Sequence, residues 1–523
     1  MPFYDILRRR WDDLDRSQFA FSLEKWEKLI VIFIICLGAA LRLAMLGVLP
    51  EGLNQDEASA GYEAWSILNY GIDRHGYSLP VLLRAWGSGQ NVLFSYLSMP
   101  FIAMFGLSAF SLRLTSALFG IMTLYVFWLL AREARGRGFA LTALLVLAVN
   151  PWHIMISRWA LESNLLPFFL LLGIYLMVLS LRRPAAILPS AAAFALSLYA
   201  YGTAFIFLSL FLIFGVFWLI RHDGFKPKYF LPALALFVII ALPITICQIN
   251  NVTGYRDLTL LGLSLPKLTE SRQAATTIFG GGVTSPVQNF ETFFSIITKQ
   301  SDGLPFNSMP PFYGIYYFWG LPFVVAGLIS SVASFRDRRS EVPMLVALIV
   351  SVLCSFFIVP NINRMNMAWL PLIYFEAVGM YMLMRRMKKY FIVPVFSLLV
   401  SVAFFISSYV GAFQSSPYYF PGLRQAFEYV EKLEPESVFV SNYVNQPYIF
   451  ALFYNEISPY DFISTVHYVN RGAAFEVVSE FGKYRFGEAE DAKSEYLILH
   501  NAQCTGFEVL ETFGHYSVCA GEK

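Results

Sequence analysis

The residues most suited to chemistry follow the first long apolar segment of the 523-residue sequence. They form one short polar stretch, whose ionisable side chains are Asp56, Glu57, Glu63, Asp73, Arg74 and His75. Two adjacent carboxylates at the start of a predicted helix are stabilised by the positive end of the helix dipole, which is a purely structural interpretation. The alternative is general-base catalysis, in which one carboxylate takes a proton from a hydroxyl group.

Helix geometry limits the catalytic interpretation to one of the two adjacent carboxylates. Neighbouring residues on a helix point about 100° apart, so Asp56 and Glu57 cannot both face one pocket. We predict that Asp56 is the base and that Glu57 supports it.

The elements that position these residues must be membrane helices, as the composition indicates. Hydrophobic residues make up 57% of the sequence and charged residues only 14%, against about 25% in an ordinary soluble domain. These values exclude a soluble globular enzyme and fit a membrane protein in contact with lipid. The 38 basic and 36 acidic residues leave a formal net charge of +2, so charge indicates no nucleic-acid partner.

Apolar stretches long enough to cross a hydrocarbon core of about 30 Å recur through most of the chain. They predict a polytopic α-helical membrane protein with about eleven transmembrane helices. The predicted spans are 28–49, 109–131, 138–150, 165–181, 185–200, 203–220, 229–247, 312–335, 341–360, 367–384 and 390–410. The segment 91–106 is also apolar, and counting it as a span would reverse the orientation of everything that follows it.

The distribution of Lys and Arg resolves this topology. If segment 91–106 lies in the membrane interface, the basic clusters all face one side, which the positive-inside rule assigns to the cytoplasm. The N-terminus is then cytoplasmic, and the active site and the C-terminal segment lie outside the cytoplasmic membrane. The predicted regions are a cytoplasmic amphipathic segment at 1–27, a transmembrane catalytic domain at 28–410 with outer loops at 50–108 and 248–311, and an extracytoplasmic α/β domain at 411–523.

The C-terminal segment carries short β-type stretches among helical ones, which predicts a small α/β domain. The predicted strands are Ser437–Val440, Tyr496–Leu499, Phe507–Leu510 and Tyr516–Cys519. Cys504 and Cys519 both belong to this domain, so they are candidates for a disulfide bond in an oxidising compartment, with two unpaired thiols as the alternative. No spacing of Cys and His indicates a structural zinc site.

Short motifs follow Asp56 in a fixed order along the chain. They are Asp56-Glu57-Ala58, Tyr62, Asp73, His75-Gly76, Pro80, Tyr96-Leu97, Arg113-Leu114, Asn150-Pro151-Trp152-His153, Ser157-Arg158 and Glu162-Ser163-Asn164. In this order they resemble the bacterial relatives of the protein O-mannosyltransferases and, more distantly, the lipid A aminoarabinose transferases. Both are glycosyltransferases of the GT-C type, and the resemblance is best over residues 28–220.

The resemblance implies a GT-C fold in which two helices of the first outer loop lie on the membrane. It also implies an acidic base at Asp56 and a second acidic residue at Glu162, where the aminoarabinose transferases have an aspartate. Tyr62, Asp73 and His75 belong to the motif of the first loop. The donor would be a polyprenyl-phosphate-linked sugar, and the acceptor would be a lipid, a glycan or a protein.

One departure from these families concerns metal binding. The aminoarabinose transferases have a Glu-Lys-Pro-Pro element between the two loop helices, whereas this chain has Leu83-Arg84-Ala85-Trp86-Gly87. A metal site built on that glutamate is not carried over. This leaves open whether a divalent cation takes part and which residues would bind it.

A departing polyprenyl phosphate needs cations or hydrogen-bond donors held away from bulk water. In the predicted topology four arginines lie at the depth of the lipid headgroups, namely Arg42, Arg84, Arg158 and Arg364. We favour Arg158 and Arg364, although interfacial arginines also snorkel to headgroups without any further role. His153 is a candidate for orienting the base or the phosphate, or else an anchor in the aromatic belt.

The sequence therefore predicts an inverting glycosyltransferase of the cell envelope, which moves a sugar from a polyprenyl-phosphate donor to an extracytoplasmic acceptor. The alternative is a membrane transporter or lipid-sugar flippase without covalent chemistry. Its support is Glu376, which lies near the middle of a predicted span, where an ionisable group is a candidate functional residue. The polar residues cluster at the outer surface, however, whereas transporters usually carry several buried charges and broken helices, and this favours the enzyme.

Overall fold

The computed structural model describes residues 18–254, 256–270, 277, 284–309, 311–335, 338–387, 390 and 392–521. Residues 1–17 of the predicted amphipathic segment lie outside this part of the chain. The α-helices of the described residues are α1 (Gln18–Leu43), α2 (Gln55–Tyr70), α3 (Leu93–Phe105), α4 (Ala109–Arg135), α5 (Arg137–Ala148), α6 (Pro151–Ile156), α7 (Leu166–Leu179), α8 (Ile187–Ala200), α9 (Ala204–Arg221), α10 (Pro227–Thr253), α11 (Pro286–Lys299), α12 (Leu321–Ala333), α13 (Val342–Cys354), α14 (Asn366–Met387), α15 (Ile392–Phe413), α16 (Leu423–Glu431), α17 (Pro447–Tyr454) and α18 (Pro459–Thr465).

Each of the eleven predicted spans overlaps one of these helices. The overlapping helices are α1, α4, α5, α7, α8, α9, α10, α12, α13, α14 and α15. Six segments are long and apolar enough to cross a membrane, where α7 is counted with the 3-10 turn Glu162–Leu165 that precedes it. The helices α5, α8 and α12 are shorter and apolar. The chain is therefore an integral membrane protein with the predicted α-helical architecture.

The ends of α4 illustrate why the long helices stop where they do. Ser108 and Ser111 form a reciprocal capping box at the first turn, which satisfies backbone amides that have no partner within the helix. Arg132 and Arg135 lie in the last turn, where a positive charge is favourable for the helix dipole. Arg135 also forms a buried ion pair with Glu341, whose side chain lies 2.8 Å away just before α13.

The helices α12 and α14 cross at very short range because each presents a glycine to the backbone of the other. A Cβ atom at Gly327 would collide with the carbonyl oxygen of Phe375, and one at Gly379 would collide with that of Phe323. Small residues at such a crossing let two helix backbones approach closely, which is how membrane helices gain packing energy.

The loop between α1 and α4 contains two helices, α2 and α3, and the two-stranded ribbon of β1 (Leu82–Leu83) and β2 (Gln90–Asn91) between them. The helix α3 has 13 residues and is therefore about 20 Å long, too short for a hydrocarbon core of about 30 Å. This length agrees with the interfacial position predicted for segment 91–106. One face of α2 packs on α3 and another on α17 of the C-terminal domain.

The C-terminal domain is built on a seven-stranded sheet, as an α/β domain requires. The remaining strands of the chain are β3 (Leu258–Leu260), β4 (Leu263–Leu265), β5 (Val438–Ser441), β6 (His467–Tyr468), β7 (Val478–Phe481), β8 (Tyr484–Gly487), β9 (Tyr496–His500), β10 (Glu508–Phe513) and β11 (Tyr516–Ala520). The sheet order is β10-β11-β9-β5-β8-β7-β6, and β5 runs parallel to both of its neighbours. The four predicted strands correspond to β5, β9, β10 and β11, so the predicted α/β domain is confirmed.

The two cysteines of the C-terminal domain lie side by side. The sulfur atoms of Cys504 and Cys519 are 3.1 Å apart and not covalently joined. A disulfide has a sulfur separation of about 2.0 Å. The disulfide between these residues therefore stays a prediction, made between two neighbouring thiols.

Candidate active site

The N-terminus of α2 is fixed by a capping box. Asn54 is the N-cap residue, and its side chain accepts a hydrogen bond of 2.8 Å from the backbone amide of Asp56. In return the Glu57 carboxylate accepts one of 3.0 Å from the Asn54 amide. These bonds satisfy amides that lack a partner within the helix, so the sequence around Asp56 starts a helix for local reasons.

The Glu57 side chain is buried and fully engaged in contacts within the protein. Arg113 of α4 donates to both of its carboxylate oxygens at 2.9 and 3.0 Å, and the backbone amide of Ala160 donates to one of them at 3.0 Å. Arg113 also donates to the carbonyl oxygens of Pro50 and Gly52. Glu57 therefore ties α2 to α4 and to the chain before the Glu162–Leu165 turn.

Asp56 points away from Glu57 and remains partly exposed. Its carboxylate accepts a hydrogen bond of 3.2 Å from the indole Nε1 of Trp86. The guanidinium of Arg74 lies over the Trp86 ring, 4.7 Å from its centroid. Arg74 is itself buried and paired with Glu63, at 3.2 Å. Behind the candidate base, Trp86, Arg74 and Glu63 therefore form a continuous set of contacts within the loop.

The three other residues of the first-loop motif form hydrogen bonds to backbone groups that hold neighbouring segments together. Tyr62 donates its hydroxyl proton to the Ile457 carbonyl oxygen at 2.6 Å, which links α2 to the C-terminal domain. Asp73 accepts the backbone amides of His75 and Tyr77, both at 2.9 Å. The ring nitrogen Nε2 of His75 lies 3.0 Å from the carbonyl oxygen of Ala85, so Nε2 carries a proton and donates.

The electrostatics of this loop keep His75 uncharged. Burial lowers the pKa of His75 well below its usual range, and the nearby cations of Arg74 and Arg84 act in the same direction. Burial and the neighbouring Glu63 carboxylate raise the pKa of Asp73. A neutral His75 that donates to a backbone carbonyl serves to hold the turn after it rather than to transfer protons.

Two of the predicted phosphate ligands donate to backbone carbonyl groups at helix ends, Arg42 at the end of α5 and Arg158 at the end of α1. Arg42 is fully buried and donates to the carbonyl oxygens of Gly38 and Ala148 at 2.8 and 3.0 Å. Arg158 is also buried, and its guanidinium donates to the carbonyl oxygens of Leu41, Arg42, Ala44 and Leu49. The last carbonyls of a helix lack partners within it, and these arginines supply donors. This placement argues against a phosphate role for both.

The other two predicted arginines are more accessible. Arg364 is half-buried, and one of its terminal nitrogens donates to the Val359 carbonyl oxygen at 3.2 Å. Arg84 is also half-buried and forms an ion pair of 2.7 Å with Glu476 of the C-terminal domain. His153 is buried, and its Nδ1 lies 2.6 Å from the guanidinium of Arg42, so His153 is part of the hydrogen-bonded contacts around Arg42.

Glu162 lies close to the contacts that anchor α2. It begins the 3-10 turn Glu162–Leu165 and is buried, two residues after Ala160, whose amide donates to Glu57. The Ser163 carbonyl oxygen accepts a hydrogen bond of 3.0 Å from the Asn366 side chain, which joins the turn to α14. The structure therefore places Glu162 near the chain segment that binds Glu57, on an element separate from α2.

Sequence reasoning gave no role to Trp86, Arg113 and Glu476, which the structure brings to this region. Arg113 is one of the motif residues, so the sequence offered a reason to expect that this arginine pairs with an acidic residue of the first loop. Trp86 lies in the stretch that departs from the related families. Glu476 pairs with Arg84 across 392 residues of sequence, and no pattern in a single chain indicates such a contact.

The described ranges contain no group of three or more His, Cys, Asp or Glu side chains that could hold a metal ion.

Comparison with solved structures identifies the fold. No protein-family model and no curated protein sequence matches the chain. ArnT from Cupriavidus metallidurans in the apo state is similar, with a TM-score of 0.57, 12% identity and coverage of 95% of this chain and 98% of that one. ArnT bound to undecaprenyl phosphate gives a TM-score of 0.53, 13% identity and coverage of 94% and 97%. The chain therefore has the GT-C fold of ArnT.

A second type of solved structure is less similar. The archaeal oligosaccharyltransferase AglB from Archaeoglobus fulgidus, in complex with an inhibitory peptide and a dolichol-phosphate, gives a TM-score of 0.49 at 15% identity. The alignment covers 84% of this chain and 64% of AglB. The chain thus spans less than two thirds of that protein's length.

Proposed function

We propose that this protein is an inverting glycosyltransferase that uses a polyprenyl-phosphate-linked sugar as donor. In the reaction the bond between the anomeric carbon and the phosphate oxygen breaks as the acceptor oxygen attacks from the opposite face. Asp56 takes the proton of the acceptor hydroxyl, and the polyprenyl phosphate leaves with the bonding electron pair. The acceptor is a lipid, glycan or protein outside the cytoplasmic membrane.

The observation that carries this proposal is the contrast between Asp56 and its neighbours. Glu57 and Glu63 are fully buried in ion pairs, whereas Asp56 is partly exposed. A base must reach its substrate proton, so the partly exposed carboxylate is the one suited to the task. ArnT from Cupriavidus metallidurans, which has the same fold, binds undecaprenyl phosphate, and this supports a lipid-phosphate donor.

The departing phosphate needs cationic donors, and Arg364 is the candidate that the geometry supports best, because Arg84 is already paired with Glu476. The Arg364 side chain is half-buried, so it combines a reduced dielectric with access from solvent. The chain 302–307 lies between the segment of Arg364 and that of Ala160, because the Asp302 carboxylate accepts the amide of Ile362, two residues before Arg364, at 2.8 Å, and Phe306 stacks on Trp159, next to Ala160. We infer that the donor phosphate binds between this segment and the N-terminus of α2.

The direct test compares Asp56→Asn with wild type in nanodiscs, using a panel of labelled polyprenyl-phosphate sugars with candidate acceptors. We expect the variant to lose about 100- to 10,000-fold in turnover, since this is what a general base contributes. The matched control is Glu51→Gln, which neutralises a partly exposed carboxylate five residues earlier in the same loop. Thermal unfolding of each variant checks its fold. An Asp56→Asn variant that is as active as the control contradicts the assignment.

One observation favours the second candidate, a transporter without covalent chemistry. Glu376 lies within the membrane helix α14 with 1% of its surface exposed, and its carboxylate faces Gly320. Within the described residues its Oε2 has no hydrogen-bond partner. Flux of a lipid-linked sugar across proteoliposomes that is abolished by Glu376→Gln and unaffected by Asp56→Asn would support the transporter over the enzyme.

A further inference from the structure

We propose that Glu476, a residue of the C-terminal domain, is a positioning residue for the reaction. It holds the turn 84–89, and through Trp86 of that turn it orients the Asp56 carboxylate. The inference rests on the proposed function, because it assigns to Glu476 an effect on the base Asp56. It makes the C-terminal domain a working part of the active site.

The turn that carries Trp86 has a backbone that must be held from outside. Ala85 has a φ of 49°, in the left-handed region that residues with a Cβ rarely adopt, and Gly87 has a φ of 106°. Such conformations persist where surrounding structure fixes them, and they cluster at functional sites. The neighbours of this turn therefore determine where the Trp86 ring lies.

The C-terminal domain supplies several of those neighbours through Glu476. The backbone amide of Glu476 donates to the carbonyl oxygen of Trp86 at 2.8 Å, and its carboxylate accepts from Arg84 at 2.7 Å. The adjacent Phe475 forms a β-bridge with Gly87. Glu476 thus binds the residues on both sides of Ala85: its main chain binds Trp86, and its side chain binds Arg84.

Glu476 is itself held rigidly. It is 2% exposed, and the Gly472 amide donates to its carboxylate at 3.0 Å. Thr269 also donates to the Gly87 carbonyl oxygen, with its backbone amide and its hydroxyl group, at 2.9 and 2.8 Å. The turn is therefore held by two other parts of the chain, the loop that contains Thr269 and the C-terminal domain.

The position of the turn is transmitted to the base by Trp86. Its indole Nε1 donates to Asp56 at 3.2 Å, and its ring meets Tyr448 of α17 edge-on, with centroids 6.0 Å apart. A hydrogen bond from an N–H group favours the ionised form of a carboxylate, which is the form a base requires. A displaced Trp86 would weaken this bond and turn the Asp56 carboxylate away from its working direction.

The test measures kcat, KM for the donor and the pH dependence of kcat/KM for wild type, Glu476→Gln, Trp86→Phe and the double variant. We expect Glu476→Gln to lower kcat about 10- to 100-fold, the size of a small misplacement of a reacting group. The acid side of its pH profile should move to higher pH by about one unit, because the hydrogen bond that stabilises the ionised form of the base is weakened. Trp86→Phe keeps an aromatic ring and removes the N–H, so it should give the same pH shift.

The double variant separates positioning from general damage. If Glu476 acts through Trp86, adding Glu476→Gln to Trp86→Phe should move the pH profile no further. The control is Glu341→Gln, which breaks the buried pair with Arg135 far from the loop and should lower thermal stability without moving the profile. Should Glu476→Gln fail to fold, the pH shift of Trp86→Phe and the intermediate kcat expected for Glu476→Asp still test the proposal.

The outcomes distinguish this inference from the proposed function. A wild-type pH profile in Glu476→Gln, or fully additive pH shifts in the double variant, overturns the positioning role of Glu476. The proposed transferase function still stands in that case, provided that Asp56→Asn loses activity. Donor turnover that is equal in wild type and Asp56→Asn overturns the proposed function itself.

Discussion

The adjacent carboxylates of Asp56 and Glu57 lie in different environments, which is the basis for assigning them different roles. Asp56 and Glu57 have the same charge and share one helical turn, yet Glu57 is sealed against Arg113 and Asp56 is accessible. The angle between neighbouring residues on a helix was enough to predict that only one of them could face a pocket. The sequence did not predict which arginine would neutralise the other.

The buried Glu57–Arg113 pair should be a strong determinant of stability. Replacing Glu57 by Gln leaves the Arg113 guanidinium buried without its counter-ion, which costs about 3–5 kcal/mol of unfolding free energy. The comparison is Glu428→Gln, which breaks an exposed pair with Arg424 and should cost about 0–1 kcal/mol. Thermal unfolding in detergent measures both. A shift no larger for Glu57→Gln than for Glu428→Gln would show that the pair does not anchor α2.

The arginines mark the limit of sequence reasoning at this scale. Hydropathy and charge gave the depth of Arg42 and Arg158 in the membrane but not the direction of their side chains around the helix bundle. Both turn inward because carbonyl groups at helix ends need donors: Arg42 donates to the last residue of α5, and Arg158 donates to the chain at the end of α1. Arg364 lies at similar predicted depth and remains partly exposed. Depth alone therefore did not separate structural arginines from candidate ligands.

Apolar length predicted the positions of the long helices, six of which are long and apolar enough to cross a membrane among the described residues, but not where each helix begins. The predicted span 312–335 contains α12, which starts only at Leu321. The chain before it is held in a non-helical form, since the Gln300 side chain accepts the Tyr316 amide and Tyr313 pairs with Met309. These contacts come from another part of the loop, so the apolar composition of the span could not reveal them.

The crossing of α12 and α14 should tolerate no added carbon atom. Gly379→Ala places a Cβ against the Phe323 carbonyl, and overpacking of this kind costs about 1–3 kcal/mol. Gly411→Ala in α15 is the matched control, because a Cβ there meets nothing within 4 Å. We expect a lower unfolding temperature for the first variant and an unchanged or higher one for the second. Equal unfolding temperatures would mean that the two helices do not pack at this distance.

At the scale of the whole molecule, the site depends on contacts between distant parts of the chain. Tyr62 meets Ile457 across 395 residues, and Arg84 meets Glu476 across 392. The sequence predicted both the first outer loop and the C-terminal α/β domain, because each has local patterns of its own. It did not predict that the domain would hold the loop, since pairing across such separations leaves no periodic trace.

The orientation in the membrane follows from one short helix and can be tested directly. If α3 lies in the interface, an odd number of spans precedes the C-terminal domain, which is then on the side opposite to the N-terminus. Counting α3 as a span reverses the sides of all later segments. Lys493 in the C-terminal domain and Asp223 after α9 are both exposed, so Lys493→Cys and Asp223→Cys report the two sides.

We expect a membrane-impermeant maleimide applied to intact cells to label Lys493→Cys, whereas Asp223→Cys should react only after permeabilisation. The physical reason is that the basic residues at the ends of α4 and α9 favour the cytoplasmic side. The hydrogen bond between Tyr62 and Ile457 keeps α2 and the C-terminal domain on one side of the membrane. The reverse labelling pattern would therefore place Asp56 on the cytoplasmic side together with the C-terminal domain, and it would overturn the predicted topology.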